Sequence, residues 1–189
     1  MSIQFSQKKY EEYAYVLDFV QRGKSKIIKG REGPIVQAIG EDRLILLEIL
    51  TLSGVDLEVC ERINIGIGKD SRTKIASVLG KLTYEDLSPD AVNELERVVE
   101  VLVKNNEKTY IDIINRLQPV TPRLHALELI PGIGKTYMNQ MIIARSRSLF
   151  ISFEDIQTRV GLREPSKLIA KRIIEEITGS SRINIFVGR

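Results

Sequence analysis

The sequence predicts an α+β chain: a small N-terminal β-barrel over residues 1–70, a helical connector over 71–120, a C-terminal helical domain over 121–180 and a terminal strand over 181–189. Three observations predict it. Short β-rich segments separated by glycine-containing turns fill the first 66 residues, the apolar period becomes helical from about residue 71, and two prolines in "QPVTPR" set a boundary near residue 120.

At 189 residues and 43% apolar composition the chain is long and apolar enough to bury a core. One cysteine, Cys60, excludes disulfides within the chain and cysteine-rich zinc sites, and one histidine, His125, excludes a histidine cluster. The reading is therefore cytoplasmic and metal-free. "MSIQFSQKKYEEY" has no cleavable signal pattern, and "LILLEIL" is too short to span a bilayer, so a soluble protein without membrane partners is expected. Charge is unevenly placed: +1 over residues 1–74, −3 over 75–122 and +5 over 123–189. A second basic concentration is "RGKSKIIKGR", residues 22–31, where five of ten residues are basic. Two basic regions flanking an acidic middle suit a binder of polyanions with two contact surfaces.

The predicted strands are "YAYVLDFV" (13–20), "PIVQAIG" (34–40), "RLILLEILT" (43–51) and "LEVCERINIG" (57–66), the second and third joined by a tight "GED" hairpin. Four short strands with one long basic loop resemble an OB-fold, with an SH3-like barrel as the alternative. The OB resemblance implies single-stranded nucleic acid in a basic groove with stacking aromatics. Tyr13, Tyr15 and Phe19 alternate and would share one face, as stacking platforms or as core.

"SRTKIASVLG" opens the helical series. In "SPDAVNELERVVEVLVKNN", Ser88 is the N-cap, Pro89 lies in the first turn, and Val92, Leu95, Val98, Val99 and Leu102 form one face. "NEKTYIDIINRLQ" adds a helix with Tyr110, Ile113, Ile114 and Leu117 as a buried stripe. Beyond the prolines the pattern reads helix (122–130), "PGIG", helix (135–147).

The segment "GIGKT" invites a phosphate-loop reading. A Walker loop needs a glycine five residues before Gly134, where this chain has Leu129, and a strand ahead of it, where "TPRLHALELI" has helical spacing. The alternative is a tight turn in which Pro131 ends one helix, Gly132 and Gly134 allow positive φ, and Ile133 points inward as a pin. The second helix then begins with unpaired N–H groups facing outward, a ready anion seat to which Lys135 and Thr136 add a charge and a hydroxyl. A second "IGIGKD" at 65–70 lacks the proline and reads as a strand-to-helix turn.

"LELIPGIGKTYMNQMIIARS" resembles the helix-hairpin-helix motif of sequence-independent nucleic-acid-binding proteins. That resemblance implies contact between hairpin N–H groups and sugar-phosphate oxygens, sometimes with a monovalent cation on hairpin carbonyls; no other cofactor is expected. Carried over, Gly132, Ile133, Gly134, Lys135 and Thr136 form the contact with Arg145 and Arg147 farther along the helix, and Lys24, Lys26, Lys29 and Arg31 form the barrel-loop contact. Met138 stands where the family usually has alanine, which would spread the two helices. "SFEDIQTRVGLREPSKLIAKRIIEEITG" resembles a degenerate second copy, capped by Ser152, keeping Gly161 and carrying Arg163 in place of the second glycine. Arg159, Arg163, Lys167, Lys171 and Arg172 extend the basic surface or are simply solvated. The whole arrangement is similar to an uncharacterised archaeal family predicted to bind RNA.

The expectation is a non-catalytic binder of RNA or DNA. A glycosylase-type repair enzyme is one alternative, with Glu154 and Asp155 at a suitable distance beyond the hairpin; a protein–protein scaffold is another. The closing "RINIFVGR" echoes "RINIG" at 62–66 and reads as a strand returning to the barrel, against a free tail.

Overall fold

The computed structural model describes residues 10–67 and 73–188. The fold is α+β: a curled five-stranded antiparallel sheet, a two-stranded ribbon and, among the described residues, five α-helices. The chain divides into two compact units, Met1–Val99 with Glu175–Arg189, and Glu100–Ile174.

The first unit holds β1 (Tyr13–Lys24), β2 (Glu32–Gly40), β3 (Leu46–Thr51), β4 (Arg62–Asn64) and β5 (Ile75–Lys81), in the order β4-β1-β2-β3-β5. Three successive strands with the fourth returning beside the first is the order of a Greek key. The outer strands β4 and β5 do not pair with each other among the described residues, so a half-barrel stands where a closed barrel was expected. Residues 75–81, expected to open the helical series, pair with β3 from Leu47↔Lys81 to Thr51↔Ile75. The free edge of β3 overrides a weak local pattern there.

One face of the sheet buries Ala14, Val16, Val36, Ala38, Leu47 and Ile49. Between Val16↔Ala38 and Asp18↔Gln37, β1 carries one extra residue, a bulge that reverses the alternation of its side chains. Phe19 therefore packs against the same cluster as Val16, while Tyr15, 1% exposed, is buried on the opposite face. Tyr13 lies under the Arg62 guanidinium, 3.4 Å from its ring centroid. The common aromatic face expected of Tyr13, Tyr15 and Phe19 is not formed.

The opposite face carries a line of polar groups, Asp18, Gln37 and Glu48, in register across β1, β2 and β3. Gln37 accepts from the Ser88 N–H at 2.7 Å and donates to the Asp86 carbonyl at 3.1 Å. The Ser88 hydroxyl donates to Asp18 at 2.6 Å and accepts from the Ala91 N–H at 3.0 Å. Ser88 is thus both the expected N-cap of α1 (Pro89–Asn105) and the bolt that seats the helix start on the sheet. Glu48 is fully buried, and its carboxylate accepts from the Ser25 hydroxyl, the Lys26 N–H at 2.9 Å and the Ile27 N–H at 3.4 Å. The loop between β1 and β2 is shaped from beneath by this one side chain. At the C-terminal end, Glu176 accepts from the N–H groups of Ile185, Phe186 and Val187 at 2.7–2.9 Å, and the Gly188 N–H donates to the Arg43 carbonyl at 3.1 Å. The Glu176 carboxylate and the Arg43 carbonyl thus hold residues 185–188 in place, and Asn184 forms an isolated β-bridge.

The second unit holds α2 (Glu107–Arg116), the ribbon of β6 (Pro119–Thr121) and β7 (Leu124–His125), and a 3-10 turn over Ala126–Leu129. It continues with α3 (Lys135–Arg147), α4 (Phe153–Val160) and most of α5 (Pro165–Ile177). The helix expected over 122–130 is replaced by the ribbon and the 3-10 turn. Leu124, Leu127 and Ile130 recur every three residues, a spacing that a 3-10 turn satisfies as well as an α-helix does. The stripe of Tyr110, Ile113, Ile114 and Leu117 is buried as expected, together with Leu127, Met141, Phe150 and Ile156.

Two arginines close helix ends. Arg145 donates to the carbonyls of Ile114 (2.9 Å), Asn115 (3.4 Å) and Leu117 (2.7 Å) at the end of α2. Arg159 donates to those of Ala144 (2.6 Å) and Ser148 (2.7 Å) at the end of α3, and to Asp155 at 2.9 Å. Each cation faces the carbonyls and the negative end of a helix dipole.

Two outcomes follow from these charges that hold backbone groups. Glu48→Val keeps a strand-forming residue but removes the acceptor of Lys26 and Ile27; amide hydrogen exchange of the loop should rise sharply while the far-ultraviolet spectrum stays unchanged. Arg145→Met leaves three carbonyls without their donor and should lower unfolding stability in urea by about 1–3 kcal/mol; a loss within experimental error would remove its structural role.

Candidate nucleic-acid interface

The turn between the 3-10 segment and α3 is built by short backbone bonds. The Ile130 N–H donates to the Leu127 carbonyl at 3.1 Å, the Ile133 N–H to the Ile130 carbonyl at 3.0 Å, and the Met138 N–H to the Gly134 carbonyl at 2.9 Å, which opens α3. Ile133 is 4% exposed, the inward pin that its position between two glycines suggests. Gly132 has φ +89°, and a Cβ there would lie 3.2 Å from a Leu168 methyl, so both conformation and space require glycine. Gly134 differs: its φ is −84°, open to any residue, and a Cβ would meet nothing within 4 Å. Its value lies in leaving the helix start uncovered.

No side chain caps α3, in contrast to α1, capped by Ser88, and α4, capped by the Ser152 hydroxyl 3.0 Å from the Asp155 N–H. Gly134, Lys135 and Thr136 are exposed, and the first turn contains no acidic residue. Met141 alone of α3 is fully buried; Lys135, Thr136, Asn139, Gln140, Ser146 and Arg147 are exposed, as is Ile143. Met138 is half-buried within regular helix, with its N–H on the Gly134 carbonyl. Arg147 is exposed at the far end of α3. Arg145 is not part of the exposed set, because its guanidinium is spent on α2 carbonyls, and burial holds it below the usual arginine range.

The segment around Gly161 repeats the backbone device without the open helix start. Gly161 has φ +78° and Leu162 is buried behind it, as Gly132 and Ile133 are in the first. Arg163 and Lys171 are exposed, Arg172 is buried and Arg159 closes α3, so the five basic residues do not form one surface. The Asp155 carboxylate accepts from Arg159 at 2.9 Å and from the Ile151 N–H at 3.2 Å.

In the other unit, Lys24, Lys26, Lys29 and Arg31 are all exposed on the loop that Glu48 shapes. Lys24 lies 3.5 Å from Glu32, both largely solvated. Asp86 is held below the usual carboxylate range mainly by the Thr83 N–H and hydroxyl, with Lys26 adding a smaller effect. The hairpin residues and the loop residues thus belong to different compact units. The "IGIGKD" copy runs into residues 68–70, outside the described residues.

Two functional candidates carry little sequence signal. Glu48 stands alone inside "LILLEIL", and an isolated carboxylate in an apolar run is a readable sign of a buried polar role. His125, the lone histidine, caps the 3-10 turn: its ring Nδ1 accepts from the Leu127 N–H at 3.1 Å, and its backbone N–H donates to the Glu128 carboxylate at 3.0 Å. Burial pushes its imidazole below the usual range, Arg145 pushes it the same way, and Glu128 opposes them. Among the described residues no group of three His, Cys, Asp or Glu is placed to hold a metal, and no helix is long and apolar enough to cross a membrane.

Comparison with known proteins agrees over nearly the whole length. An uncharacterized protein of Methanocaldococcus jannaschii, MJ0038, is 40% identical over 175 residues, covering 93% of this chain and 78% of that one. The crystal structure of Af1531 from Archaeoglobus fulgidus is 41% identical with a TM-score of 0.83, covering 94% of this chain and 100% of that one. Residues 10–188 match the family described as "Protein of unknown function (DUF655)", and the chain belongs to that family.

Proposed function

We propose that this chain is a non-catalytic nucleic-acid-binding protein, acting on RNA in preference to DNA, that contacts the sugar-phosphate backbone through the Gly132–Thr136 hairpin and the Lys24–Arg31 loop. The reading takes the C-terminal unit as helix-hairpin-helix-like and the half-barrel as OB-like, the latter favoured by its Greek-key strand order.

The observation that carries it is the bare start of α3. Ile133 is buried, Gly134 leaves space, no side chain caps the helix, and Lys135 and Thr136 stand exposed beside N–H groups at the positive end of the dipole. A turn serving only to pack two helices has no need of a cation and a hydroxyl there. The basic loop supports the reading because Glu48 holds the N–H groups of Lys26 and Ile27 and the Ser25 N–H donates to the Arg31 carbonyl, so part of the backbone that carries the four cations is ordered before binding. Binding is favoured over a glycosylase because the Asp155 carboxylate is spent on Arg159 and the Ile151 N–H. It is favoured over a scaffold by the open, cationic helix start.

Fluorescence anisotropy with labelled RNA and DNA oligonucleotides over a salt series tests this. Wild-type affinity should fall steeply with salt, and Lys135→Glu should weaken binding across all sequences and reduce the logarithmic salt slope by about 1. Lys108→Glu, the same charge change on the exposed face of α2, should have a smaller effect. Equal losses in the two variants would sink the hairpin site.

A further inference from the structure

His125 lies between the two arms of the hairpin. On one side its Nδ1 holds the Leu127 N–H at 3.1 Å; the Leu127 carbonyl holds the Ile130 N–H at 3.1 Å, and the Ile130 carbonyl holds the Ile133 N–H at 3.0 Å, between the two hairpin glycines. On the other side its Nε2 lies 3.4 Å from an Arg145 guanidinium nitrogen, and Arg145 belongs to α3, the second arm. We infer that His125 is a positioning residue for the hairpin contact, and that protonating it releases the hairpin and weakens nucleic-acid binding. This inference rests on the hairpin reading above for its effect on binding, and on geometry alone for its effect on the turn.

The geometry has a definite sign. With Nδ1 accepting a hydrogen bond, the imidazole is neutral and its one proton lies on Nε2, so the approach of Arg145 at 3.4 Å is a contact between donors and the bond is on the Nδ1 side. A proton on Nδ1 would point at the Leu127 N–H and end the cap. Protonation would also set a second positive charge beside Arg145, which cannot retreat while it is bound to the carbonyls of Ile114, Asn115 and Leu117. The charged groups facing the ring are Arg145 from α3 and Glu128 from its own turn; the end of α2 presents carbonyls, and β6 pairs with His125 through Pro119. A histidine whose neutral form is favoured in the fold contributes stability that is present above the unfolded value of 6.5 and is lost as pH falls below it. Simple electrostatics predicts the reverse for binding: a protein that gains positive charge in acid should hold a polyanion more tightly. The two accounts therefore differ in direction.

The experiment follows the full-length chain from pH 7.5 to pH 5 at fixed salt, with anisotropy of a labelled RNA oligonucleotide and amide exchange measured in parallel. In the wild type, affinity should fall with pH below 6.5, toward about fivefold, the worth of one lost cap, as the ring becomes protonated, and the amides of Leu127, Ile130 and Ile133 should lose protection together. His125→Asn caps without titrating in this range and should give a flat profile for both readouts. Binding that strengthens in acid, or an equal fall in the wild type and His125→Asn, would overturn the inference. If the wild type binds no nucleic acid at pH 7.5, the hairpin reading fails; exchange at Leu127 and Ile133 then still decides the positioning role, and unchanged protection would refute it. Should His125→Asn not fold, His125→Gln serves as the second non-titrating variant under the same criteria.

Discussion

The burial of Ile133 is the constraint on which the candidate site depends. With one aliphatic side chain fixed inside the second unit, the backbone on either side must turn within one residue, which forces Gly132 to positive φ and aims Gly134 and Lys135 outward. Leu168 closes the space behind Gly132, so the turn cannot relax inward. The bare helix start is therefore a mechanical result of core packing. Any anion affinity there draws on energy already spent in folding.

Charged side chains elsewhere act mainly on the backbone. In the first unit, buried carboxylates gather N–H groups: Glu11 takes those of Asp42 and Arg43 at 2.7 and 2.9 Å, Glu48 takes Lys26 and Ile27, and Glu176 takes three at the C-terminal segment. In the second unit arginines gather carbonyls, Arg145 at α2 and Arg159 at α3. Each such group answers donors or acceptors that would otherwise be left unpaired at a loop or helix end. Carboxylates thus hold N–H groups at loops and helix starts, Glu107 at Phe153 and Asp155 at Ile151 among them, and the two arginines hold carbonyls at helix ends. Removing one of these side chains exposes several backbone groups at once, which makes it costlier than breaking a surface ion pair.

The strands, the Ser88 cap and the buried stripe of α2 were legible because each has a local cause: alternation, a hydroxyl before an apolar run, or a helical period. What escaped depends on partners distant in sequence. The bulge at Leu17 separates Phe19 from Tyr15, and nothing local announces an extra residue. Ile75–Lys81 reads as helix until β3 offers an edge. Arg145 and Arg147 are indistinguishable in the sequence, yet the first turns onto α2, more than 25 residues earlier in the chain, while the second stays in solvent. The tight turn was legible because its glycines and pin are contiguous, though only one of the two glycines is conformationally required and the helix expected ahead of it is not formed.

The two hairpins of the second unit separate fold from chemistry. Both place a positive-φ glycine before a buried aliphatic residue, Gly132–Ile133 and Gly161–Leu162, and so solve the same packing problem. They diverge at the next two positions. The first continues with Gly134 and Lys135, leaving the helix start open and cationic; the second continues with Arg163 and Glu164, the latter at φ +48° immediately before Pro165. A carboxylate there sets negative charge against the positive end of the α5 dipole, and proline removes one donor from its first turn. The strained φ of Glu164 costs about 1 kcal/mol that a glycine would not, so the position serves something other than ease of turning. The same backbone turn therefore leads to an uncapped, cationic helix start in one case and to an acidic residue before a proline in the other, and the difference lies in two residues after the pin.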